Sequence, residues 1–75
     1  MTLDELEKND CAIIKKINCD EILKNRFYSF GIVKNSKVKV EELTLTKSTI
    51  EIKIDSTKVA LRLSEASAIE VEKCN

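Results

Sequence analysis

Histidine is absent from this chain, and with it the commonest general base and metal ligand at neutral pH. Proline and tryptophan are absent too, and glycine occurs once, at Gly31. One glycine excludes the glycine-rich loops that cradle phosphates. With breakers this scarce, the turns must be built from Asn, Asp, Ser, Thr and Lys. No sign of charge dominates: 13 basic and 13 acidic residues give a formal net charge of zero over 75 residues. That balance argues against a nucleic-acid binder, which carries a basic excess or a concentrated basic face. The lysines alternate with Glu and Asp along the chain, the pattern of a solvated surface. No apolar run approaches the ~18–20 residues of a membrane span. The opening Met1-Thr2-Leu3-Asp4-Glu5 is acidic rather than signal-like, so a cytoplasmic location is expected.

Three cysteines, an odd number, argue against a disulfide framework in a reducing compartment. Cys11, Cys19 and Cys74 also lack the close spacing of a zinc site. Cys11 and Cys19 are expected as small buried hydrophobes, and Cys74 as an exposed tail residue.

What is present is periodicity. Thr2-Leu3-Asp4-Glu5 fits a capping box, with Leu3 and Leu6 on one face of a short helix ending at Asn9-Asp10. Cys11 to Ile17 reads as a strand, with Ile13 and Ile17 expected on the core face. From Asp20 to Phe30 the spacing of Ile22, Leu23, Phe27 and Phe30 predicts an amphipathic helix, stopped by Gly31 in a left-handed conformation. After a turn at Val33–Ser36 the period drops to two. Val38 and Val40, then Ile50, Ile52 and Ile54, then Val59, Leu61 and Leu63, and finally Ile69 and Val71 alternate with mostly charged neighbours. Ser64 to Ser67 interrupts the last two strands as a short helical turn capped by Ser64.

The order predicts one domain over residues 1–75: mainly β with short helices, a small, partly closed antiparallel barrel of about five strands, with one helix after the first strand. The expected core is Ile13, Ile17, Leu23, Phe27, Phe30, Val38, Val40, Ile50, Ile52, Leu61, Ile69 and Val71. Carboxylates fall at solvent-facing strand positions and in helix first turns, so no catalytic, cofactor or metal site is expected, and the chain does not read as an enzyme. Arg26 and Gly31, and Arg62 with Glu65 three residues on, read as structural motifs, the latter as an Arg–carboxylate pair pinning a corner. Tyr28, Leu43 and Leu45 are left without core positions. With Arg62 as polar rim they form the candidate partner-binding patch.

Four segments carry a family resemblance. They are Thr2–Leu6, Ala12–Ile17, the run Arg26-Phe27-Tyr28-Ser29-Phe30-Gly31-Ile32, and Val59–Ala66 leading to Ile69 and Val71. In this order and spacing the chain resembles the FeoA family, the small cytosolic component of bacterial ferrous iron uptake. It departs from the family at Asp10, where glycine is usual, at Lys34-Asn35 in place of Pro-Gly, and at Leu45–Thr49 in place of a Pro/Gly-rich loop. Asn35 tolerates the left-handed conformation, so that turn is expected to survive.

The resemblance implies an SH3-like barrel that performs no chemistry. It further implies a contact with the cytosolic GTPase region of the FeoB membrane transporter, with the membrane reached only through that partner. Transition metal ion binding is the family's theme, although this chain has no imidazole to contribute. The competing readings are a stand-alone relative of the C-terminal SH3-like domain of metal-dependent repressors and an RNA-binding small barrel.

Overall fold

Antiparallel pairing accounts for most of the molecule. The computed structural model describes residues 1–74. A short 3₁₀ turn, Leu3–Glu5, precedes β1 (Cys11–Ile17), α1 (Glu21–Ser29), β2 (Lys37–Thr44), β3 (Thr49–Ile54), β4 (Thr57–Arg62), α2 (Leu63–Ala66) and β5 (Ile69–Cys74). The strands form one five-stranded sheet in the order β4-β3-β2-β1-β5. Every pair is antiparallel.

The local signals act as their chemistry dictates. Glu5 accepts a hydrogen bond from the Thr2 N–H at 2.7 Å, the return half of the expected capping box. Asp20 caps α1 by accepting from the Leu23 N–H at 2.9 Å. Asn35 holds a φ of 75°, so the turn forms without the family's glycine. The helical turn before β5 is capped two residues earlier than expected: Arg62 is its N-cap, and Ser64 lies inside it.

Phe27, Val38, Val40, Ile50, Ile52, Leu61, Ile69 and Val71 are buried as expected, and Leu23 and Phe30 pack half-buried against them. Leu3, Leu6, Ile32, Ile54, Val59 and Ala66 complete the core.

The first strand is reversed from its expected phase. Ala12 and Ile14 are fully buried, while Ile13 is half-buried on the outer face between Lys37 of β2 and Glu72 of β5. This segment carries apolar residues at both parities, so alternation alone does not choose between its faces. A register shift between Ile14 and Lys16 then turns both Lys15 and Lys16 to solvent and returns Ile17 to the core margin. A second shift, between Val40 and Glu42 on β2, places Leu43 opposite Ile50 and packs it against the core.

Candidate functional site

Two motifs far apart in sequence meet where α1 ends. Gly31 has a φ of 86°, the left-handed region where a Cβ is costly. The Gly31 N–H donates to the Tyr28 carbonyl at 3.0 Å and the Ile32 N–H to the Phe27 carbonyl at 2.9 Å. This is a Schellman cap, and Phe27 and Ile32, both fully buried, make its hydrophobic contact. Arg26 leaves the same helix end with its guanidinium 5.9 Å from the centre of the Phe30 ring. Its Nη1 reaches Glu65 Oε2 at 2.7 Å.

That contact corrects the expected Arg62–Glu65 side-chain pair. Glu65 takes the Arg26 guanidinium on one oxygen and the Arg62 backbone N–H on the other, at 3.0 Å. The reason is geometric. As N-cap of α2, Arg62 turns its amide toward the residue three places on, and Glu65 closes a capping box. The Arg62 guanidinium is left outside this network. Glu65 is only 13% exposed and Arg26 50%, so the half-buried carboxylate is the anchored partner that ties α1 to α2.

The candidate partner-binding residues divide. Leu45, 72% exposed, stands at the turn between β2 and β3. Arg62 lies opposite Thr49, which lies opposite Thr44, so Arg62 and Leu45 belong to the same end of the sheet. Leu43 does not join them. The β2 bulge turns it inward, against the expectation that the strand leaves the core before it. Tyr28, 46% exposed, lines a different cleft of about 390 Å³ with Lys15, Lys16, Ile17, Lys24 and Lys34. Neither leucine nor Arg62 lines that cleft.

The cysteines depart furthest from expectation. Cys11 and Cys74 face each other across β1 and β5, Cα atoms 5.6 Å apart, joined as a disulfide across 63 residues of sequence. Cys11 is therefore not an isolated buried hydrophobe, nor Cys74 a free tail residue. Only the register of two strands distant in sequence brings them together, and no local signal announces it. Cys19 is free and half-buried. Burial, reinforced by Asp20, pushes its thiol pKa up.

Among the described residues, no three His, Cys, Asp or Glu side chains converge on a common metal position. Glu5 and Asp10 have pKa values held below the ordinary carboxylate range. The main cause for Glu5 is the Thr2 N–H, with help from its hydroxyl; for Asp10 it is the Glu7 N–H, with Lys73 beside it. Both are structural caps, Glu5 exposed and Asp10 half-buried. Among the described residues, no helix is long and apolar enough to cross a membrane.

The chain can now be set beside known proteins. A Campylobacter jejuni protein named as an Fe(2+) transport protein A is 44% identical over 71 residues, covering 95% of this chain and 96% of that one. The Stenotrophomonas maltophilia FeoA, a prokaryotic SH3 domain protein solved with zinc, superposes with a TM-score of 0.83 at 25% identity. That match covers 96% of this chain and 89% of that one. A manganese-dependent transcriptional repressor superposes with a TM-score of 0.92 at 26% identity, but this chain matches only 36% of the repressor's length. The fold is thus SH3-like and is shared with a domain of metal-dependent repressors. The FeoA domain family matches residues 1–73. The chain belongs to the FeoA domain family, whose relatives carry the name of Fe(2+) transport proteins.

Proposed function

We propose that this protein is a non-enzymatic, cytoplasmic accessory of ferrous iron uptake that acts by contact with the cytosolic GTPase region of a FeoB-type transporter. The observation that carries this reading is the near end-to-end match, at 44% identity, to a relative of the same length named for Fe(2+) transport. The side chains support it by what they leave out. The carboxylates sit as caps or on the surface, the chain has no imidazole, and burial raises the pKa of the free thiol. Such a surface binds rather than reacts.

The contact patch is Leu45 with the Arg62 side chain, at one end of the sheet. Leu43 supports this end from within and Tyr28 stands apart as a separate contact candidate. Co-purification from membranes tests the reading. Leu45→Asp is expected to weaken retention of the transporter while leaving the melting temperature unchanged, because the side chain is already in solvent. Failure of the wild-type chain to retain any GTPase-bearing transporter would refute it. The likeness to a repressor does not favour a DNA-binding role for these residues: α1 and α2 are not joined as a helix-turn-helix, and β2, β3 and β4 lie between them.

A further inference from the structure

The sheet gathers charges that the linear sequence keeps apart. Lys58 of β4 lies directly opposite Lys53 of β3, and Lys53 directly opposite Lys39 of β2. All three are exposed. Like charges in direct opposition destabilise a sheet, so the row needs an account. Lys39 reaches Glu41 at 4.0 Å, whereas Lys53, Lys58 and Arg62 form no ion pair among the described residues. The outward face of β4 therefore reads Lys58, Ala60, Arg62, two free cations flanking a small exposed residue.

The same strand is the end of the sheet. The β3–β4 hairpin closes at Ile54 and Thr57 around a two-residue loop in which Asp55 has a φ of 55°. In such a hairpin the closing residues exchange main-chain hydrogen bonds, and so does every second residue beyond them. Thr57, Val59 and Leu61 thus bond to β3, while Lys58, Ala60 and Arg62 point their N–H and C=O groups away from it. The Arg62 N–H fixes this phase independently, since it donates to Glu65. Among the described residues the main-chain groups of Lys58 and Ala60 find no partner beyond the sheet. They form an open rung of two donors and two acceptors.

We propose that this edge takes a sixth strand from a protein partner. The strand is an extended segment with carboxylates four residues apart, facing Lys58 and Arg62, and an uncharged residue between them facing Ala60. Main-chain bonds to the rung supply affinity, and the charges fix register. Lys53, one strand further in, adds to the same field. A second copy of this chain does not fit. Antiparallel self-pairing centred on Ala60 sets each Lys58 against the other copy's Arg62, and parallel pairing in register sets each cation against itself. The proposal rests on the reading that the chain works by protein contact.

A synthetic heptapeptide tests it: glutamates four residues apart, a threonine midway and valines at the intervening positions, titrated into the isotopically labelled full chain at low salt. The amides of Lys58 and Ala60 are expected to shift and to gain exchange protection. K58E should weaken binding about tenfold or more, and added salt should weaken it too. A60P deletes one edge donor without costing a ladder bond, and should abolish binding. Should A60P fail to fold, K58E carries the test. Equal binding by K58E, shifts confined to another face, or equal binding of a peptide with lysines for glutamates would overturn the proposal. So would dimerisation through β4, or a single-stranded oligonucleotide that shifts the lysine row where the peptide does not. Transporter retained equally by wild type and K58E would refute the edge and leave the transporter reading standing. Peptide binding with no transporter retained would do the reverse.

Discussion

The two outer strands of the sheet are finished in opposite ways. Beyond β5 the chain folds its own beginning over the edge: Thr2 bridges to Glu70, and the Val71 N–H donates to the Met1 carbonyl at 2.8 Å. Leu3 and Leu6 drive that segment into the core, and the Cys11–Cys74 link ties β5 to its neighbour. Beyond β4 nothing comparable is laid down among the described residues. There α2 turns back at the far end of the strand, and two residues keep their main-chain groups open. Unpaired edges invite unwanted pairing, and natural sheets either cover them or line them with charge. This protein does the first on one side and the second on the other. The first closes β5 to any further strand; the second turns like-charged strands away from β4 and, on the proposal above, leaves it open to an acidic one.

The largest effect should come from opening the covered side. A cross-link spanning 63 residues stabilises by about 4 kcal/mol in the chain-entropy account of unfolded loops. Cys74→Ser, or reduction of the wild type, is expected to lower the melting temperature of the oxidised protein accordingly, and unchanged calorimetric melting would show that pairing alone secures β5. Leu3→Ala comes next. Its side chain is fully buried, yet the segment bearing it can collapse onto the gap, so a loss of about 2–3 kcal/mol is expected, at the lower end for such truncations. The Val71 amide should lose exchange protection in that variant while the β3–β4 ladder keeps its own. Uniform loss would mean that the two edges are not independent.

Gly31→Ala works on the other flank. An added Cβ there would meet Ile54 Cγ2 at 3.7 Å, an ordinary contact, so the cost comes from backbone conformation alone and should be about 1 kcal/mol. Chemical denaturation measures it directly. Acid gives the smallest effect. Glu5 and Asp10 have folded pKa values below their unfolded ones, so their contribution is present above the ordinary carboxylate pKa and disappears as pH falls through the lowered values. Glu5 caps the segment that covers β5. Protection at Val71 should therefore fade before that of the β3–β4 ladder as pH drops below about 4. Hydrogen exchange measured across that range would settle the order.

The sequence disclosed whatever was local or singly periodic. β2 to β5 were legible because each has one apolar set and one charged set, leaving a single way to face the core. Gly31 and the Thr2–Glu5 pair were legible because caps are local chemistry. β1 was not, since Ala12 and Ile14 compete with Ile13 and Ile17, and only the neighbouring strands decide. Leu43 was misplaced for the related reason that a bulge shifts parity without any marker in composition. Arg26 with Glu65 is a product of how α1 and α2 pack, and Cys11 with Cys74 and the row from Lys39 to Lys58 are products of register. Each joins residues that local patterns treat separately, and the lysines that looked interleaved with acids along the chain prove to be stacked across it.

The bulge between Ile14 and Lys16 has a consequence for how this chain tolerates insertion and deletion. It acts as a frame correction in the strand, one surplus residue absorbed so that Lys16 and Ile17 stay in step with β5. Removing either Lys15 or Lys16 deletes that surplus residue: the remaining lysine still faces solvent, and Ile14 and Ile17, now two apart, keep their places opposite Val71 and Ile69. A one-residue deletion here should therefore be tolerated, whereas one inside β3 would turn every residue beyond it to the other face. A substitution to alanine at either lysine should pass almost unnoticed as well. The strand carries one spare residue at this point, and losing it costs the core nothing.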